Sequence, residues 1–264
     1  MTDAPYPTEP AVILQVNDLA VFFGGVRAVD GLTFSVKPRE IISVIGPNGA
    51  GKTSAFNCIT GFYRPSRGTV IFRHENITGM RPSKVARRGM SRTFQNLRLF
   101  RDMSVLDNVR TGLHARLAES FIDTALHTPR YRRAERGSID AARGWLDFVG
   151  YASSEEAFVA ELPYGEQRRV EIARALAADP TLLLLDEPGA GLNRNEKQGL
   201  AELIRGIQNL GIAIVLIEHD MGLVMDISER VVVMNYGKEI ADGTPAEVKA
   251  DPAVIEAYLG TEET

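Results

Sequence analysis

Four apolar runs mark this chain: Ile41–Ile45, Leu182–Leu185, Ile212–Ile217 and Val231–Met234. Each is strand-sized and bounded by turn residues. Helical patterns over Asn195–Leu210 and Met221–Ser228 separate the last three. Asn235-Tyr236-Gly237-Lys238 then turns into a final strand near Glu239–Asp242. This alternation predicts a mostly parallel sheet covered by helices. The opening is strand-rich. Apolar residues in Ala11–Phe23 run to Gly24-Gly25, a hairpin-turn dipeptide, and strands are predicted over Leu32–Val36 and Thr69–Phe72, with a turn at Lys37–Glu40.

Helical signals fill the middle. One helix is predicted from Lys52 to Thr60, closed by Gly61, and a short one over Ser83–Arg88 before a strand at Met90–Phe94. Ser104-Val105-Leu106-Asp107 has the form of a capping box and opens a helix to about Leu117. From there to Val159 the pattern is mostly helical, and Gly165–Ala178 forms a further helix stopped by Asp179-Pro180. The expected organisation is a main domain over 11–243, interrupted by a helical subdomain at about 96–160. Two short helices starting at Thr244-Pro245 and Asp251-Pro252 make a C-terminal extension over 244–264.

Composition narrows the class. With 44% apolar and 24% charged residues in 264, the chain reads as an ordinary globular protein. Its net charge of −4 argues against a nucleic-acid binder, which carries a basic excess. The single cysteine, Cys58, excludes an intramolecular disulfide. No stretch approaches the ~18 apolar residues that span a bilayer, and the polar, proline-containing Met1–Pro10 is not read as a signal peptide. A role at a membrane is therefore expected to come through a partner.

Two segments carry the chemistry. Gly46-Pro47-Asn48-Gly49-Ala50-Gly51-Lys52-Thr53 fits G-x-x-x-x-G-K-[ST], preceded by a strand and followed by a helix. Its glycines let successive backbone N–H groups approach phosphate oxygens, and the helix adds its positive dipole end. Lys52 is expected to neutralise the outer phosphates, Thr53 to ligate Mg²⁺ and Ser54 to donate to a phosphate. The second segment, Leu182–Leu185, ends in Asp186 and Glu187. Asp186 is expected to hold Mg²⁺ and Glu187 to polarise an attacking water. The two together predict ATP binding and hydrolysis.

The intervening Leu162-Pro163-Tyr164-Gly165-Glu166-Gln167-Arg168-Arg169-Val170-Glu171-Ile172-Ala173-Arg174-Ala175-Leu176 resembles the signature segment of the ATP-binding cassette (ABC) ATPases, commonly LSGGQ and a following helix. The resemblance extends over about Leu14–Gly243. It implies an α/β P-loop NTPase fold with a mostly parallel core sheet, an N-terminal antiparallel β subdomain and an inserted helical subdomain. It also implies roles. Gln95 looks like the glutamine that senses Mg²⁺ and the γ-phosphate, and His219 like the switch histidine on that phosphate. Phe23 looks like the aromatic that stacks on adenine, although a core strand position is its plainer reading. Gly189–Asn193 looks like the loop that communicates across a dimer. Tyr164, Gly165 and Glu166 lie at the helix end that, in the family, faces the nucleotide of a second subunit, so two ATPs would be sandwiched head to tail. Two departures stand out: Pro163 replaces the usual serine, and Asn193 the usual aspartate.

Arg92-Thr93-Phe94-Gln95, Leu97-Arg98-Leu99-Phe100, Ile217-Glu218-His219-Asp220-Met221 and Val254–Gly260 look most like the ATPase subunit of branched-chain amino-acid importers. Lipopolysaccharide-export cassettes share parts of this pattern. The implied partners are a second ATPase subunit, two membrane permeases and, indirectly, an external substrate-binding protein, with this chain peripheral on the cytoplasmic face of the membrane. Alternatives are a soluble cassette acting on DNA or ribosomes, a small-molecule kinase and a non-catalytic scaffold. The basic groups Arg81, Lys84, Arg87, Arg88 and Arg92, with Arg130, Arg132, Arg133 and Arg136, give the nucleic-acid reading its only support; a solvated face is the plainer one.

Overall fold

The computed structural model describes residues 12–114 and 129–259. The expectations placed on Met1–Pro10, on 115–128 and on the chain beyond Leu259 lie outside them.

Two sheets organise the described chain. β1 (Leu14–Phe23) and β2 (Val26–Val36) form the hairpin signalled by Gly24-Gly25 and join β4 (Arg67–Phe72) and β5 (Glu75–Asn76) in an antiparallel sheet of order β2-β1-β4-β5. The second sheet has order β10-β9-β3-β8-β7-β6. Its members are β3 (Ile41–Ile45), β6 (Met90–Arg92), β7 (Leu182–Asp186), β8 (Ala213–Ile217), β9 (Arg230–Asn235) and β10 (Lys238–Gly243). All neighbours are parallel except the β9–β10 hairpin.

The apolar runs are continuous because these strands are buried on both faces. Along β7, Leu182 and Leu184 face the core shared with the antiparallel sheet and α1 (Lys52–Ile59). Leu183 and Leu185 face the opposite core, under the helices. Strand β8 alternates in the same way, Val215 and Ile217 against Ile214 and Leu216. The helical core is built by α3 (Val105–His114), α4 (Pro129–Phe148), α5 (Tyr164–Ala177) and α6 (Arg194–Asn209), after the short α2 (Pro82–Ala86). A third cluster packs α7 (Met221–Ile227) and the C-terminal α8 (Pro245–Ala250) and α9 (Pro252–Leu259) against Ile45, Val231 and Val233.

Three expectations change. Strand β2 starts at Val26 rather than Leu32, because its first half, with Val29 as its one buried residue, is held by pairing with β1 across the hairpin and lacks a buried apolar run. The strand before Gln95 stops at Arg92, where parallel pairing with β7 ends. Residues 149–158 are not helical: Gly150 at φ +69° breaks the helix, and the Ser104–Phe158 bridge and a 3-10 turn at Val159–Glu161 follow.

Candidate functional site

The Gly46 loop sits where β3 gives way to α1, at the carboxyl end of a central parallel strand. Two glycines are sterically required there. Gly46 has φ +149°, and a Cβ on it would strike the Met234 carbonyl oxygen; Gly51 has φ +101°, and its Cβ would strike the Ala28 carbonyl oxygen. Ala50 N–H donates to the Pro47 carbonyl (3.2 Å), which closes the loop. Lys52 Nζ donates to the carbonyls of Gly46 (2.6 Å) and Pro47 (2.9 Å). Burial holds the lysine pKa below its ordinary value, against the opposing pull of Glu187 and Asp186.

A cavity of about 510 Å³ opens above this loop. Asn48, Gly49, Ala50, Gly51, Lys52, Thr53 and Ser54 line it, as do Gln95 and Glu187, residues far apart in sequence. Strand pairing explains the meeting: β7 lies next to β8 and two strands from β3, and the β6 end leads to Gln95 on its other side. Glu187 leaves β7 with a left-handed φ of +46°, and its N–H donates to the Ile217 carbonyl (2.9 Å). A non-glycine residue in that region costs about 1–2 kcal/mol, a strain tolerated where a side chain must be aimed. The carboxylate Oε2 accepts from Gln95 Nε2 at 2.9 Å, and His219 Nδ1 lies 3.8 Å from the same oxygen. His219 itself is largely exposed.

Asp186 is buried at the end of β7. Its Oδ2 accepts from Arg92 Nη2 at 2.7 Å, while its Oδ1 is buried with no hydrogen-bond partner. Arg92 corrects the reading of the basic cluster as a solvated face, because its side chain is only 5% exposed. It stands over the rings of Phe94, Phe56 and Phe62 at 5.0, 5.6 and 5.8 Å, and Asn57 Oδ1 and Thr60 Oγ1 accept from it. Arg81, Lys84, Arg87 and Arg136 are exposed, as the bland reading requires.

The remaining site residues are not gathered here. Phe23 is exposed at the β1–β2 turn, edge-on to Tyr63 at 5.2 Å, and does not line the cavity. The core-strand alternative for it is wrong, because the strand end projects beyond the sheet. Tyr164, Gly165 and Glu166 open α5 behind Pro163, which supplies no side-chain cap. No side chain caps the first-turn N–H groups of that helix. Gly165 and Glu166 border a different pocket, with Leu192 and Glu196, so one chain does not bring its signature end to its own phosphate loop. Asn193 caps α6: its Oδ1 accepts from Asn195 N–H and Glu196 N–H (both 3.0 Å), and Glu196 returns a bond to Asn193 N–H.

Sequence reasoning missed three buried charges. Glu218, fully buried, accepts from the N–H groups of Gly189 (2.6 Å), His219 (3.1 Å) and Asp220 (3.4 Å), and so ties the loop after Glu187 to the end of β8. Arg168 and Glu171 pair at 2.7 Å inside α5, and burial raises the Glu171 pKa against the Arg168 charge. Their i, i+3 spacing, which puts them on one helix face, was the available signal.

Comparison with known proteins agrees with this geometry. The family profile "ABC transporter" matches residues 29–190, and the profile "Branched-chain amino acid ATP-binding cassette transporter" matches residues 238–264. The high-affinity branched-chain amino acid transport ATP-binding protein LivG of Escherichia coli (strain K12) is 46% identical over 94% of this chain and 98% of its own. The corresponding BraF protein of Pseudomonas aeruginosa is 45% identical over the same shares. The crystal structure of an ABC-transporter ATP-binding cassette in its ADP conformation superposes with a TM-score of 0.82 at 30% identity, covering 95% of this chain and 99% of that one. With its phosphate loop, its Asp186-Glu187 strand end and its signature helix in the family's order, the chain belongs to the ABC transporter family as an ATP-binding subunit.

Proposed function

We propose that this chain is the ATP-hydrolysing subunit of a membrane importer for branched-chain amino acids. The observation that carries the hydrolytic part is the meeting of Lys52, Thr53, Gln95 and Glu187 around one cavity, with Gln95 bonded to Glu187. The substrate class rests on the likeness to LivG and BraF and on the C-terminal match over 238–264. That C-terminal match favours the amino-acid system over lipopolysaccharide export.

In the proposed mechanism the loop N–H groups and Lys52 hold the β- and γ-phosphates. Lys52 exchanges its two loop carbonyls for phosphate oxygens. Glu187 Oε2 takes a proton from a water aligned with the γ-phosphorus, Gln95 orients that carboxylate, and His219 reaches the γ-phosphate from beyond it. The water oxygen bonds to phosphorus as the bond to the β-phosphate oxygen breaks, giving ADP and phosphate. The residues fit Mg²⁺: Asp186 has a buried oxygen with no partner, and the Thr53 hydroxyl and Gln95 border the cavity. Bound there, the ion would neutralise charge on the β- and γ-oxygens. Among the described residues no group of three or more His, Cys, Asp and Glu could hold an ion by itself.

The signature end requires a second ATPase subunit, arranged head to tail, to complete each site. A groove of about 450 Å³ between α2 and α5, lined by Phe62, Phe94, Phe100 and Arg174, adjoins the Gln95 segment and offers a seat for permease helices. No helix among the described residues is long and apolar enough to cross a membrane. Attachment to two permeases on the cytoplasmic face, with an external binding protein delivering substrate, accounts for the membrane role; nucleic acid has no part in it. Glu187→Gln tests the proposal: ATP binding should persist while turnover in the assembled transporter falls by about 10²-fold or more. Unchanged turnover removes Glu187 from the role of base.

A further inference from the structure

The signature helix and the Gln95 segment are joined by one side chain. Arg168, 1% exposed, points its fork at the segment from the second turn of α5. Its Nη1 donates to the Phe94 carbonyl (2.9 Å) and its Nη2 to the Gln95 carbonyl (3.2 Å), so it grips the backbone at two successive peptides. Nη2 also donates to Tyr164 Oη at 2.8 Å, and the guanidinium lies 5.6 Å from the Tyr164 ring centroid. Glu171 completes the clamp: Oε2 holds Arg168 Nη1 at 2.7 Å, and Oε1 accepts from Phe94 N–H and Arg98 N–H, both at 3.4 Å. Tyr164 stands at the position where the family's common signature has glycine, so this hydroxyl is an addition that the usual motif lacks.

We propose that Arg168 is a positioning residue that makes the place of Gln95 depend on what occupies the signature end of α5. The route is short and physical. Tyr164 lies in the first turn, beside Gly165, and is 40% exposed, so an anion arriving there meets it directly. A shift of Tyr164 pulls on Nη2, the planar fork carries that shift to the Phe94 and Gln95 carbonyls, and the Gln95 amide carries it to Glu187. A lysine, with one ammonium and no fork, cannot hold both carbonyls and the phenol in fixed geometry. Thus the nucleotide held by one subunit's phosphate loop, on reaching its partner's signature end, would align the partner's own Gln95 and Glu187. The inference rests on the proposed ATPase reading and deepens it.

A double-mutant cycle in the assembled transporter tests it, with Tyr164→Phe, Gln95→Ala and the pair, read as kcat and KM for ATP hydrolysis. Tyr164→Phe keeps the ring and removes only the acceptor. The expected result is a fall in kcat of about ten- to 150-fold, the range for one lost charge-assisted hydrogen bond, with KM changed less than twofold. In the Gln95→Ala background the same substitution should change kcat by less than twofold, because its route is already cut. Arg168→Lys, which keeps the charge facing Glu171, should also lower kcat and spare KM. Multiplicative losses in the cycle, a loss confined to KM, or full activity of Tyr164→Phe overturns the relay. A wild-type complex that hydrolyses no ATP overturns the underlying reading as well, so the two failures are told apart.

Discussion

Replacing Arg92 by methionine removes the cation that faces Asp186 across the top of the parallel sheet. The two side chains are 5% and 2% exposed and meet at 2.7 Å. Asp186 Oδ1 already has no partner, so the substitution leaves a buried carboxylate with neither oxygen paired to a cation. Breaking a buried pair from one side costs about 3–5 kcal/mol, since the remaining charge is desolvated without compensation. Methionine retains apolar contact with the Phe94, Phe56 and Phe62 rings, so most of the loss is electrostatic. For a chain this long, that corresponds to a fall in Tm of roughly 6–20 °C. The assay is urea unfolding followed by the fluorescence of Trp145, the one tryptophan in the chain, alongside circular dichroism. Arg92→Met combined with Asp186→Asn should recover about 2 kcal/mol of the loss, because no unpaired charge remains. A single-variant loss below about 1 kcal/mol, or a double variant no better than the sum, would refute the reasoning.

Two further outcomes follow from side chains around the site. Burial pushes the Cys58 thiol up to about 11, above the ordinary value of about 8.5. The native state therefore holds that proton more tightly than the unfolded chain, and the resulting stability is complete below about pH 8.5 and lost as pH rises through 11. Relative to Cys58→Ala, the unmodified protein should lose stability only in that window, and its thiol should label slowly at pH 8; fast native-state labelling contradicts this. Asn193→Ala should cost about 1 kcal/mol by removing the α6 capping box, and Asn193→Asp should restore it, both read from denaturant midpoints.

Much of the site was legible because its determinants are local. The Gly46 loop needs glycine where a Cβ would collide with the Met234 and Ala28 carbonyls, and such needs are written in adjacent residues. Strands β3, β7 and β8 were legible as apolar runs because both faces are buried. The first half of β2 was not, since Val29 is its one buried residue and the stretch owes its conformation to pairing with β1. Arg92 is the instructive miss. Arg81, Lys84 and Arg87 of the same basic cluster are exposed, and only the pairing of β6 with β7 brings Arg92 to Asp186, 94 residues away. Glu218 was hidden for a like reason, since it accepts from the Gly189 N–H, 29 residues away, across two strand ends.

The most direct test of the account is uptake of radiolabelled leucine into proteoliposomes that contain the transporter assembled from this subunit and its membrane partners, with its binding protein outside and ATP enclosed. The account predicts ATP-dependent accumulation that is abolished by Glu187→Gln, although that variant still assembles and binds ATP. Accumulation that persists with Glu187→Gln, or ATP hydrolysis with no uptake of leucine, isoleucine or valine, would contradict it.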